Sequence, residues 1–183
     1  MANRPQPSDY PKWSYFPRSS PAPEWVVDFC AAVAVHRSEI DSEERRSFES
    51  DQVLAVLRPS LVDLGWEIES GKRASQKIRR PVLYGDQGQV RVPYEIDGWH
   101  DEHGAVLEIE SGRGIMGNAF YRDLIRGSLI QGARYLVIGL RNSYKYGKTG
   151  DGDDFAKGRE QLDAIYASGR MTLPFDGVLL FGW

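Results

Sequence analysis

A chain of 183 residues, 41% hydrophobic and 27% charged, has the length and composition of one globular domain with a single core, residues 1–183. One cysteine excludes an internal disulfide, and no run approaches the roughly 18 apolar residues of a membrane span, so no membrane partner is expected. The N-terminus lacks the apolar core of a secretory signal, which points to the cytoplasm, and the formal net charge of −3 argues against a generic polyanion binder.

The first 23 residues carry six prolines among Tyr10, Trp13, Tyr15 and Phe16, which predicts an extended arm packed on its own domain. Trp25, Phe29, Ala32 and Val33 recur at helical spacing after Pro23 and predict a helix to about residue 38. Cys30 falls within that apolar run and reads as a buried small hydrophobe. After an acidic linker, Val53, Leu54, Leu57, Leu61 and Leu64 predict a second helix over 51–64, kinked or split by Pro59 and ended by Gly65.

A short strand over 66–69 leads into the segment 72–80, which carries Lys72, Arg73, Lys77, Arg79 and Arg80 and no acid. Those five cations, set against a total of −3, leave the rest of the chain at −8, so nucleic-acid contact should be local and salt-sensitive. The segment reads as a loop between the first two core strands. A turn at 85–88 separates it from an extended run over 89–99, which passes through 100–104 into a strand over 105–110.

Residues 116–131 place Phe120, Leu124 and Ile130 on one side and Arg122 and Arg126 on another, an amphipathic helix. The apolar run 135–140 suits a buried strand, a further helix runs to about residue 167, and 177–181 supplies the last strand. The order is helix, three strands, helix, strand, helix, strand.

Most of the chemistry is concentrated in 94–110. Side chains alternate along a strand, so Glu95 and Asp97 share one face, and Glu108 and Glu110 share one face of the next strand. With a loop over 101–104, antiparallel pairing sets Asp97 opposite Glu108 and Glu95 opposite Glu110. Opposed like charges destabilise a sheet by several tenths of a kcal/mol per pair, whereas a bound cation removes the repulsion. Oxygen ligands without sulfur favour Mg²⁺, Mn²⁺ or Ca²⁺ over zinc, held by Asp97 and Glu108 with Glu95 in support. Such an ion polarises a phosphate and lowers the pKa of water, chemistry suited to phosphodiester cleavage. The competing reading makes these acids the solvated outer face of a hairpin.

Asp97, a gap of ten residues, then Glu108-Ile109-Glu110 on the next strand resembles the motif of the PD-(D/E)xK nuclease superfamily, and the element order over 48–140 resembles its αβββαβ core. The resemblance implies an α/β restriction endonuclease-like fold with a mixed central sheet flanked by helices, and Asp97, Glu108 and Glu110 as catalytic residues. Ile96 stands in place of the motif's proline and Glu110 in place of its lysine. The Glu-x-Glu ending is similar to that of BamHI-type endonucleases, in which the second glutamate is implicated in general-base or metal chemistry. The superfamily often adds an acid from the preceding helix, here Glu49 or Asp51.

Lys72, Arg73, Lys77, Arg79, Arg80, Arg113, Arg122 and Arg126 are the candidate nucleic-acid contacts, with DNA as partner, and a two-fold homodimer suits cutting at symmetric duplex sites. The alternatives are a non-catalytic nucleic-acid-binding module of the same fold and a protein-interaction component. Three motifs are set aside. His100 and His103 lie in a turn, Gly147-Lys148-Thr149 has Asn142 where a phosphate-binding loop needs glycine, and Gly112-x-Gly114-x-x-Gly117 lacks a dinucleotide βαβ unit.

Overall fold

The computed structural model describes residues 9–44, 48–112, 114–115, 117–146 and 150–183. Within the proline-rich stretch, the described residues from 12 to 16 are extended and belong to the sheet. β1 (Lys12–Phe16) lies at one edge, bracketed by Pro11 and Pro17, and buries Tyr15 and Phe16. An edge is where flanking prolines are tolerated, because only one side of the strand needs hydrogen bonds.

Helix α1 (Glu24–Val35) breaks at His36, and the short α2 (Arg37–Ile40) continues as a separate turn, so the expected single helix is two. α3 (Ser50–Asp63) runs unbroken through Pro59, against the expected split. Val53, Leu54, Leu57 and Leu61 are all buried, on both sides of the proline, and that burial outweighs the one lost hydrogen bond.

β2 (Trp66–Ile68) is followed by β3 (Ile78–Tyr84), which takes up the end of the basic segment read as a loop, with Arg79 and Arg80. β3 pairs with β4 (Val90–Ile96) in a two-stranded ribbon outside the main sheet. The chain then bends at Asp97 into β5 (Gly98–His100), turns over 101–104 as expected, and returns as β6 (Ala105–Ile109). Gly98 is needed at this bend: a Cβ there would lie 2.8 Å from Ile68 and 3.1 Å from Leu107.

α4 (Ala119–Leu129) crosses to β7 (Tyr135–Leu140), and after the small hairpin of β8 (Tyr144–Tyr146) and β9 (Gly150–Gly152), α5 (Asp154–Ser168) crosses to β10 (Gly177–Gly182). The six-stranded sheet runs β1-β10-β7-β6-β5-β2. β6, β7 and β10 are mutually parallel, joined by the helical crossovers that parallel strands require, whereas β1, β5 and β2 pair antiparallel with their neighbours.

Helices cover both faces. Val26, Phe29, Val33, Leu57 and Leu61 of α1 and α3 pack on Leu107, Ile109, Val137 and Leu179. Phe120, Leu124, Phe155 and Leu162 of α4 and α5 pack on Val106, Leu136, Ile138 and Leu180. This is a mixed α/β architecture with a mixed sheet between helices. Among the described residues no helix is long and apolar enough to cross a membrane.

Candidate active site

The hairpin register Gly98↔Leu107, Trp99↔Val106 and His100↔Ala105 is the one the sequence predicts, and by continuation it sets Asp97 beside Glu108. Because side chains alternate, both acids point to the α4 side of the sheet with Trp99 and Val106. Asp97 is pinned there: its Oδ2 accepts the backbone N–H of Ile109 at 2.8 Å. Glu108 is 8% exposed, so it is not part of a solvated outer face.

The expected pairing of Glu95 with Glu110 does not form. At Asp97 the strand leaves the sheet to pair with β3, which places Glu95 opposite Arg79, and Arg79 Nη2 donates to Glu95 at 2.8 Å. That guanidinium, by its hydrogen bond first, holds the Glu95 carboxyl below its ordinary pKa. Glu110 instead faces α4, where Arg122 Nη2 donates to its carboxylate and Arg122 Nε donates to Asp123 at 3.0 Å.

These groups enclose a cavity of about 250 Å³ lined by Ser50, Glu69, Lys77, Glu95, Ile96, Asp97, Glu108, Ile109, Glu110, Arg122 and Arg126. Lys77 enters from the start of β3 and donates to both oxygens of buried Glu69 at 2.8 Å. Glu69 is itself fixed: its N–H donates to Asp97 O at 2.9 Å, and Arg58 donates to its carbonyl. Arg126 donates to the Glu95 backbone carbonyl at 2.8 Å and lies over the Tyr94 ring.

Burial of so many acids raises their proton affinity. Burial, with Glu69 and Asp123 adding, pushes Asp97 up to about 7 against the opposing Ile109 N–H. Glu108 is raised well above the carboxylate range by burial and then by Asp97 and Asp123. Glu110 is pushed up to about 7 by burial and by Asp123, and burial also raises Asp123. Four carboxyls thus resist ionising together, as expected of like charges removed from water.

The donor set fits a hard divalent cation. Every acidic donor is oxygen, and Asp123, 1% exposed, sets its carboxyl against that of Glu110 with no N–H or O–H donor on its Oδ2. Among the described residues no three His, Cys, Asp or Glu side chains are gathered as closely as a finished coordination shell requires. Mg²⁺ commonly needs only one or two carboxylates, with water and phosphate oxygens completing its shell.

The basic segment is largely neutralised within the fold. Lys72 pairs with Asp51 at 2.9 Å, Lys77 with Glu69, Arg79 with Glu95, and Arg80 with Glu67 at 2.8 Å, and Arg80 also lies over Trp99. Arg73 stands at the start of a short 3-10 turn, its N–H donating to Gln76 at 3.2 Å. Of the eight candidate nucleic-acid residues, Lys77, Arg122 and Arg126 line the cavity; Arg113, like 147–149, lies outside the described residues.

Glu49 caps α3 with Gln52, and Asp51 holds Lys72; neither lines the cavity, and the additional acid there is Glu69. Asp123 is the other residue the sequence reading missed. Its signal was present, because Phe120, Asp123, Leu124 and Gly127 form the buried stripe of α4 and an acid on such a stripe is anomalous. His100 donates from Nε2 to the Leu64 carbonyl at 2.9 Å and stacks on His103, which stacks on Trp25. Cys30 is buried and its thiol is pushed up to about 12 by that burial, the inert state expected.

Comparison of the chain with protein families, characterised proteins and solved structures finds no match.

Proposed function

We propose that the protein is a metal-dependent phosphodiesterase acting on DNA, a restriction-like endonuclease. The observation that carries this reading is the placement of Asp97 beside Glu108 on the covered side of a sheet, where two like charges serve no folding purpose. The strand arrangement supports it: α3, then antiparallel β2, β5 and β6, then α4 and a parallel β7 is the order that the PD-(D/E)xK αβββαβ core calls for.

Asp97 and Glu108 would hold Mg²⁺ or Mn²⁺, with Glu95 on the same cavity wall, and the bound ion supplies charge for the phosphate and acidifies water. Glu110, with its carboxyl near neutrality, is suited to take the proton of the attacking water. Lys77, oriented by Glu69, and Arg126 supply fixed positive charge for phosphate oxygens. A homodimer is supported by Tyr121, Ile125 and Leu129, exposed at successive turns of α4.

A second reading, a non-catalytic module of the same fold, is favoured by one observation: Arg122 already satisfies Glu110 from within. Incubation with methylated and unmethylated DNA and with RNA, in Mg²⁺ or Mn²⁺, separates the two. The enzyme reading predicts cleavage that Glu108→Ala abolishes; folded wild type that cuts none of these substrates favours the module.

A further inference from the structure

Arg122 differs from the other cations of the cavity in what it holds. One guanidinium forks across two acids, with Nη2 on Glu110 and Nε on Asp123 at 3.0 Å. Asp123 is buried and its carboxyl also lies within hydrogen-bonding reach of the Glu110 carboxyl, so the fork is anchored on a group that cannot turn to water. The Arg122 side chain is itself 52% exposed, and it lines the cavity. Its charge is therefore paired on the protein side and in contact with solvent on the other.

Lys77 and Arg126 are bound differently, to the Glu69 carboxylate and the Glu95 backbone carbonyl. A cation held by Asp97 and Glu108 takes neither acceptor away from them. It does stand in the same cavity as the Glu110 and Arg122 pair, where it repels the guanidinium at short range and offsets the charge that Arg122 neutralises.

We propose that Arg122 is an internal counter-ion that neutralises Glu110 and Asp123 while no divalent cation is bound and turns to a phosphate oxygen of the nucleic acid when one is. This rests on the reading that the cavity takes a divalent cation. Arg122 is then a phosphate ligand whose availability is set by metal loading, and the coupling is reciprocal: what releases Arg122 favours phosphate, and phosphate that captures Arg122 favours the metal. The planar fork suits both partners, since carboxylate and phosphate offer the same bidentate edge.

The test uses the full-length protein with two probes. Calorimetric titration of Mn²⁺ at pH 8 into wild type and Arg122→Gln should show about tenfold tighter binding in the variant, which has lost the competing charge. Binding of a 20-base-pair duplex, about two helical turns, should strengthen with Ca²⁺ in wild type and not in Arg122→Gln. Equal or weaker Mn²⁺ binding by the variant, or a Ca²⁺ gain that survives it, overturns the proposal while leaving the metal site standing. Wild type that takes up no Mn²⁺ overturns both. Should Arg122→Gln not fold, Arg122→Lys keeps the charge without the fork and should give the same changes at smaller size, and its failure to do so overturns the proposal equally.

Discussion

Replacing Asp97 by asparagine should stabilise the metal-free protein at pH 8. The Asp97 carboxyl is pushed from an ordinary value of 3.8 up to about 7 by burial, opposed by the Ile109 N–H. A shift of about three pH units corresponds to about 4 kcal/mol, at about 1.4 kcal/mol per unit. Because the folded protein binds this proton more tightly than the unfolded chain, the contribution is fully present below about pH 4 and is lost as pH rises through about 7. Glu110 follows the same sign, and the two carboxyls are coupled, so their contributions do not add. Asparagine retains the oxygen that accepts from Ile109 and never ionises. Allowing for that coupling, Asp97→Asn should gain about 2 kcal/mol over wild type at pH 8, or about 4–8 °C in Tm for a chain of this size, and nothing at pH 4. Urea or thermal unfolding at pH 4, 6 and 8 without divalent ions measures it. A wild type whose stability is flat between pH 5 and 8, or a variant less stable than wild type at pH 8, refutes the reasoning.

Three further outcomes follow from the same geometry. Glu69→Ala leaves Lys77 without its counter-ion in a partly buried position and should cost about 2 kcal/mol in urea unfolding, below the roughly 3–5 of a fully buried pair because Lys77 retains some solvent; unchanged stability contradicts the orienting role. Because Arg79 is engaged by Glu95, Arg79→Ala should leave the salt dependence of duplex binding nearly unchanged, whereas Arg126→Ala should lower the slope by about 0.9, one phosphate contact. Ile125→Asp, on the exposed stripe of α4, should convert a dimeric wild type to monomer in sedimentation, and a monomeric wild type at tens of micromolar (~10–100 μM on the scale of ordinary association) removes the basis for the homodimer.

What the sequence made legible was set by short-range pattern. The six apolar residues of β7 and the helical spacing of α3 were readable because each buries one face, or both, regardless of the rest of the chain. The loop at 101–104 fixed the Asp97 and Glu108 register for the same reason, since a slip of one residue would expose the core face. β3 was hidden because its charges are matched across the ribbon, Arg79 against Glu95, and Pro81 sits within it. Nothing near residue 79 announces a partner sixteen residues away. The Glu69 and Lys77 pair likewise depends on a turn that brings β2 to the start of β3. Glu95 was misplaced because alternation assumes a continuous strand, and the strand bends at Asp97. Asp123 is legible as the one acid on the buried stripe of α4, between Arg122 and Arg126.

The central claim is that the Asp97 and Glu108 cavity takes a divalent cation. Calorimetric titration of Mn²⁺ into wild type and Asp97→Ala at pH 8 tests it directly. Saturable uptake by wild type, lost or weakened at least about tenfold in the variant, is the predicted result. Equal heats in the two proteins, or no uptake by either, contradict the account.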